Sequence, residues 1–217
     1  MKQMPRAWTL ALIVVLIIVF TALEFRPSMP WTPVYNAELT WPRASKAVAA
    51  YIDRTSAGPL KFNQERLSKS MPTHNAGTWI IVTHDFEPDS VSLARLCRSV
   101  RNGATLCLAS RLFDAQVRDS FAFSISMCFA YNFWDVGDST HLPYEGSGDL
   151  VPNQRIGVDS IDGWQPIFEN DNGVYAAVRP FGKGQVILTN MTDIFTNNAL
   201  LYEGHDDVLT ALLQHLP

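Results

Sequence analysis

Residues 78–109 read TWIIVTHDFEPDSVSLARLCRSVRNGATLCLA. Thr78-Trp-Ile-Ile-Val-Thr83 is a continuous apolar run, the pattern of a strand buried on both faces. Pro88 and Asp89 open a helix in which Leu93, Leu96, Cys97 and Val100 recur at helical spacing. Asn102-Gly103 closes it, with the glycine suited to a left-handed cap. Ala104-Thr-Leu-Cys-Leu-Ala109 is a second buried strand. A strand, a helix and a strand joined by short loops form a βαβ crossover, so the two strands should run parallel and the fold class is α/β.

Downstream, Phe121–Phe129 alternates Phe123, Ile125, Met127 and Phe129 with Ser124, Ser126 and Cys128, the pattern of a half-buried strand. Asp135–Asp162 is rich in Gly, Asp, Ser and Pro and reads as irregular loop. Val174–Val178 and Gln185–Thr189 are strands joined through Pro180-Phe-Gly-Lys-Gly184 as a hairpin. Asp206–Leu216 is a closing helix, with Val208, Leu209, Leu212, Leu213 and Leu216 on its apolar face. Upstream, Ala44, Val48, Tyr51 and Ile52 share a helical face that ends at Gly58-Pro59, and Leu60–Phe62 reads as a short strand.

Nearer the N-terminus the chain changes character. Residues 7–23, AWTLALIVVLIIVFTAL, carry no charge and reach the lower limit for a membrane-spanning helix. Lys2, Arg6 and the α-amino group precede this run, which favours residues 1–6 in the cytoplasm and the rest of the chain outside it. Thr-Ala-Leu-Glu-Phe after Phe20 lacks the small-residue pair of a signal-peptidase site, so the helix should stay as an anchor in the inner membrane. Residues 24–41 hold Pro27, Pro30, Pro33, Trp31 and Trp41 and read as an extended stalk. Residues 42–217 make up the extracytoplasmic domain.

Of the 217 residues, 47% are hydrophobic and 18% charged, a balance that fits an anchor plus a well-buried core. The net charge of −4 and the lack of any long basic cluster argue against a nucleic-acid partner. Three cysteines, Cys97, Cys107 and Cys128, are too few and too scattered for a disulfide framework. Cys97 and Cys107 fall at core positions of a helix and a strand.

Several of these segments carry a family resemblance. Trp31-Thr-Pro with Tyr35, the Trp79-Ile-Ile-Val strand and Leu93–Ala109 resemble the membrane-anchored bacterial form of the domain of unknown function 4350 family. Phe181-Gly-Lys-Gly-Gln-Val-Ile-Leu followed by Asp193-Ile-Phe-Thr-Asn is the most specific match. The resemblance implies a glutamine-amidotransferase-like (flavodoxin-like) mixed, mainly parallel sheet flanked by helices, without amidotransferase chemistry. It also implies a genetic neighbourhood of MoxR-type AAA+ ATPases and membrane partners. Such proteins usually continue into a second membrane helix and a cytoplasmic tail, whereas this sequence ends at Pro217.

Chemistry is hard to find. An amidotransferase nucleophile sits in a G-x-C-x-G elbow, and the chain has neither that nor G-x-S-x-G. Gly182-Lys-Gly184 is followed by a strand rather than the helix a phosphate loop requires, so its glycines are turn residues. No catalytic residue, metal or cofactor is expected. One constellation remains. His84 and Asp85, Ser110 and Arg111, and Asn190 and Asp193 each follow a strand, and ligands of open α/β sheets bind at the carboxyl ends of strands. These six form a candidate ligand-binding rim, although helix capping by Asp85, Asp89 and by Asp193 or Thr196 is the reading the residues favour. The expected function is a non-catalytic binding or assembly module of the envelope with protein partners. A hydrolase-like enzyme acting on a polar or glycan substrate through the same rim is the alternative.

Overall fold

The computed structural model describes residues 14–15, 34–41, 43–55, 67, 77–127, 154–157, 163–170, 173–201 and 205–217. Met1–Trp31 and Thr32–Pro217 are separate compact units. Within the first, Val14 and Val15 are helical and exposed, and the rest of the expected anchor lies outside the described residues. Among the described residues no helix is long and apolar enough to cross a membrane. The expected strand at Leu60–Phe62 also lies outside them.

The second unit runs α1 (Lys46–Thr55), β1 (Thr78–Phe86), α2 (Ser90–Arg101), β2 (Thr105–Phe113), α3 (Ala115–Phe121), β3 (Ser124–Met127), β4 (Gln154–Gly157), β5 (Gln165–Asn170), β6 (Gly173–Phe181), β7 (Gly184–Thr189) and α4 (His205–Leu213). Two 3-10 turns, Thr192–Phe195 and Ala199–Leu201, join β7 to α4. The β1–α2–β2 crossover forms as expected: β1 and β2 pair in parallel, with Thr78 opposite Thr105 and Thr83 opposite Ser110. Asp89 caps α2 by accepting from the Ser92 amide at 2.9 Å and the Ser92 hydroxyl at 2.6 Å.

The sheet order is β1-β2-β7-β6-β4-β3, with β5 also paired to β6. β2 and β7 are parallel, whereas β7/β6, β6/β5, β6/β4 and β4/β3 are antiparallel. The sheet is therefore mixed, and the expectation that it is mainly parallel is corrected. The cause is connection length: β6 and β7 are joined by Gly182-Lys183, too short for the crossover that parallel neighbours need. Adjacent residues of the central strands face opposite layers. Cys107, Ile187 and Ala176 pack with α1 and α4. Leu106, Leu108, Val186 and Leu188 pack with α2 and α3.

Other expectations shift as well. Phe121 ends α3 rather than opening a strand, and its ring stacks edge-on against Phe181 at 5.3 Å. β4 forms within the segment read as irregular loop, placing Ile156 in the core. The glycine turn is tight for a packing reason. A Cβ at Gly182 would stand 2.6 Å from Arg101 Cα, and one at Gly184 would overlap the Ala104 carbonyl. The turn seats on the end of α2, where the Lys183 amide donates to the Arg101 carbonyl at 2.9 Å.

Of the segment expected as a stalk, residues 34–41 are described, and they make turns against the domain. The Asn36 side chain accepts from the Glu38 amide at 2.7 Å, and the Val34 amide donates to the Arg43 carbonyl at 3.0 Å. Asn197 pins this lead-in to the domain. Its side-chain NH2 donates to the Leu39 and Trp41 carbonyls at 3.2 and 2.7 Å, and its side-chain oxygen accepts from the Ala47 amide at 2.6 Å. That last bond satisfies an unpaired N–H in the first turn of α1 from a residue 150 positions later.

Candidate functional site

Because β1, β2 and β7 are parallel neighbours, their carboxyl ends share one edge of the sheet. Of the six residues of the expected rim, His84 and Asp85 lie in the last part of β1, Ser110 and Arg111 in the last part of β2, and Asn190 and Asp193 after β7, in three different environments. His84 and Asp85 are about half exposed, and His84 Nδ1 lies 2.8 Å from Asp85 Oδ1. Asp85 therefore pairs with its neighbour, and the helix-capping role falls to Asp89. Ser110 is fully buried, with its hydroxyl directed at the carbonyls of His84 (3.1 Å) and Leu112 (2.6 Å), so it ties β2 to β1. Asn190 is buried, and its amide donates to the Tyr175 carbonyl at 3.3 Å.

Arg111 and Asp193 meet directly. Asp193, in the 3-10 turn after β7, is 2% exposed. Its Oδ2 accepts from Arg111 at 2.6 Å and its Oδ1 accepts from Arg43 at 3.2 Å. One buried carboxylate is thus held by two guanidinium groups, one from β2 and one from the lead-in to α1. Burying a carboxylate is tolerable only with such compensation. The Thr196 hydroxyl donates to the Asp193 carbonyl at 2.7 Å and closes the turn that presents the side chain.

Three residues outside the expected rim complete the cluster: Arg43, Tyr35 and Thr192. Tyr35 adopts φ +44°, a left-handed conformation uncommon for a residue with a side chain. Burial pushes its phenol up to about 12. A side-chain hydrogen bond with Thr192 lowers this value, the charge of Asp193 raises it, and the charges of Arg111 and Arg43 lower it. All four groups therefore act on the Tyr35 oxygen. Arg111 Nε is buried without a hydrogen-bond partner. Arg43 and Asp193 stand 150 positions apart, so no local spacing announces their pairing.

Elsewhere, a groove of about 630 Å³ between α2 and α3, lined by residues such as Arg98, Arg101 and Gln116, includes none of the strand-end residues. Cys107 is fully buried in β2, which pushes its thiol up to about 12, and burial also raises Cys97. A thiol so disfavoured as thiolate is a poor nucleophile. Cys128 lies outside the described residues. Among the described residues, no three His, Cys, Asp or Glu side chains are grouped to hold a metal ion.

No curated protein matches the chain. A family model described as Domain of unknown function (DUF4350) matches residues 45–213. That span covers the sheet, α2, α3 and the Asp193 turn, and begins just after Tyr35 and Arg43. The match extends over most of the chain, and the protein belongs to the DUF4350 family.

Proposed function

We propose that this chain is a membrane-tethered, non-catalytic α/β module of the bacterial envelope. In this reading the strand-end edge of its extracytoplasmic domain recognises a ligand or protein partner. The fold is then an amidotransferase-like scaffold without the amidotransferase nucleophile. The state of Asp193 carries the reading. It is buried, and both its oxygens accept charge-assisted hydrogen bonds, so acting as base or nucleophile would require breaking two strong interactions. Ser110 is bonded to backbone and Cys107 is sealed in a strand, which leaves neither poised to attack a substrate. Association with a MoxR-type AAA+ ATPase follows from the family resemblance and is part of the proposal.

The exposed His84–Asp85 pair is the observation that favours the hydrolase alternative. Pull-down of the tagged full-length protein from detergent-solubilised membranes separates the two. Recovery of defined envelope partners, unchanged in His84→Ala, supports the module. Absence of partners, together with turnover of a glycan or other polar substrate that His84→Ala abolishes, overturns it.

A further inference from the structure

β1 is the outermost strand on one side of the sheet: it pairs with β2 and, among the described residues, with no other strand. Its composition is nevertheless that of a central strand. Thr78–Thr83 carries no charge and no proline, the devices that normally keep an outer strand from pairing again. The equivalent run of β2, Thr105–Ser110, is buried throughout, whereas Trp79–Thr83 is only partly buried. The backbone shows which groups are left over. The Gly77 carbonyl accepts from the Thr105 amide at 3.0 Å, and successive residues of a strand direct their N–H and C=O groups to alternate sides. Trp79, Ile81 and Thr83 therefore bond to β2, and Thr78, Ile80 and Val82 turn theirs outward. The straight part of the strand is short: Gly77 has φ +139°, and the pairing with β2 skips His84.

We infer that the outer side of β1 binds β1 of a second copy of this chain, antiparallel across a two-fold axis at Ile80. Symmetry and the direction of the backbone groups select this register. A two-fold axis normal to the sheet keeps each face continuous, so opposed residues must share a face and one residue must meet its own copy. With Ile80 opposite Ile80, Thr78 faces Val82, and every outward N–H and C=O is bonded. With Ile81 at the centre, Thr78 would face His84, beyond the straight part. The side chains agree with the first register. Ile80 meets Ile80 on the face that packs toward α1 and α4. Trp79 meets Ile81 on the face that packs toward α2 and α3, an aromatic and β-branched pair of the kind that stabilises sheets. The run from Thr78 to Val82 thus complements itself without bringing any charges together, which singles out a second copy over an unrelated strand. The inference is separate from what the strand-end edge recognises, because Arg111 and Asp193 take no part in it.

The test uses the detergent-solubilised full-length protein with Cys128→Ser as background, because Cys97 and Cys107 are buried. In an antiparallel bonded pair the Cα atoms stand about 5.5 Å apart, within reach of a disulfide. Ile80→Cys should therefore give a cross-linked dimer under mild oxidation, at twice the chain mass on a non-reducing gel. Ile81→Cys should not, because its copy lies diagonally across, at about 7–8 Å. Ile80→Lys sets two like charges face to face and should weaken dimerisation at least about tenfold in sedimentation, with circular dichroism recording whether the chain stays folded. Val82→Pro removes one outward N–H, is tolerated on an outer strand, and should weaken dimerisation even if Ile80→Lys fails to fold. A protein that is monomeric at every concentration, or that cross-links through Ile81→Cys but not Ile80→Cys, overturns the inference. So does a dimer unmoved by Ile80→Lys and Val82→Pro, which another segment such as residues 7–23 would hold. Capture of a different envelope protein through Ile80→Cys in place of a second copy overturns it as well.

Discussion

Asp193 was visible in the sequence as a polar residue after a strand, but its environment was not. An aspartate after β7 is as compatible with a helix cap as with a rim, and only the fold brings Arg43 and Arg111 to it. Replacing it with asparagine keeps the shape and removes the charge, leaving two arginines facing each other. That should lower stability by about 1–3 kcal/mol, read as a shift in the urea midpoint. Arg111→Lys keeps the charge but loses the fork geometry, and should retain more stability than Asp193→Asn in the same assay. A second effect concerns protons. Tyr35 and Cys107 are both held neutral, at about 12 against ordinary values of 10.0 and 9.0. The unfolded chain gives up these protons first, so their stabilising effect is complete below pH 9 and is lost as pH rises towards 12. Unfolding midpoints measured between pH 8 and pH 11.5 should fall, and Cys107→Ala should flatten the fall.

The elements were legible wherever a hydrophobic period ran long enough. β1, α2, β2 and β7 each present several apolar residues at one spacing, and the crossover between β1 and β2 follows from that alone. α3 was not legible, because over its seven residues only Val117 and Phe121 turn inward. β4 escaped because it is only four residues long, too short for a period, although Ile156 sits in the core. The prolines of residues 24–41 read as an extended stalk, while the turn in its described part, residues 34–41, is held by Asn197 far downstream. Asn197→Ala would leave the Ala47 amide and two carbonyls without their partner. It should destabilise the domain by about 1–3 kcal/mol and speed hydrogen exchange at Ala47 before the sheet is affected. The glycine turn is legible in kind but not in cause. Gly184→Ala drives a methyl group into the end of α2 and should cost about 1–3 kcal/mol in denaturant unfolding, whereas Lys183→Ala should be nearly neutral.

For the whole molecule, the three parallel strands turn their carboxyl ends to one edge, where Arg111 and Asp193 meet, even though the rest of the sheet is antiparallel. The proposed topology places this edge outside the cytoplasm. A cysteine introduced between residues 135 and 162 should react with a membrane-impermeant maleimide in intact cells; labelling only after lysis would place the domain inside. The buried Cys97 and Cys107 contribute little background. The pairing of Arg43 with Asp193 also sets an order of events during synthesis. Residues 34–47 leave the ribosome early, but the side chains that fasten them, Asp193 and Asn197, lie 150 positions later. Such distant contacts close late because the intervening chain must be ordered first. A nascent chain halted before residue 190 should therefore be cut by protease within residues 34–47, where the finished protein resists, so the lead-in is sealed only once Asp193 and Asn197 have emerged.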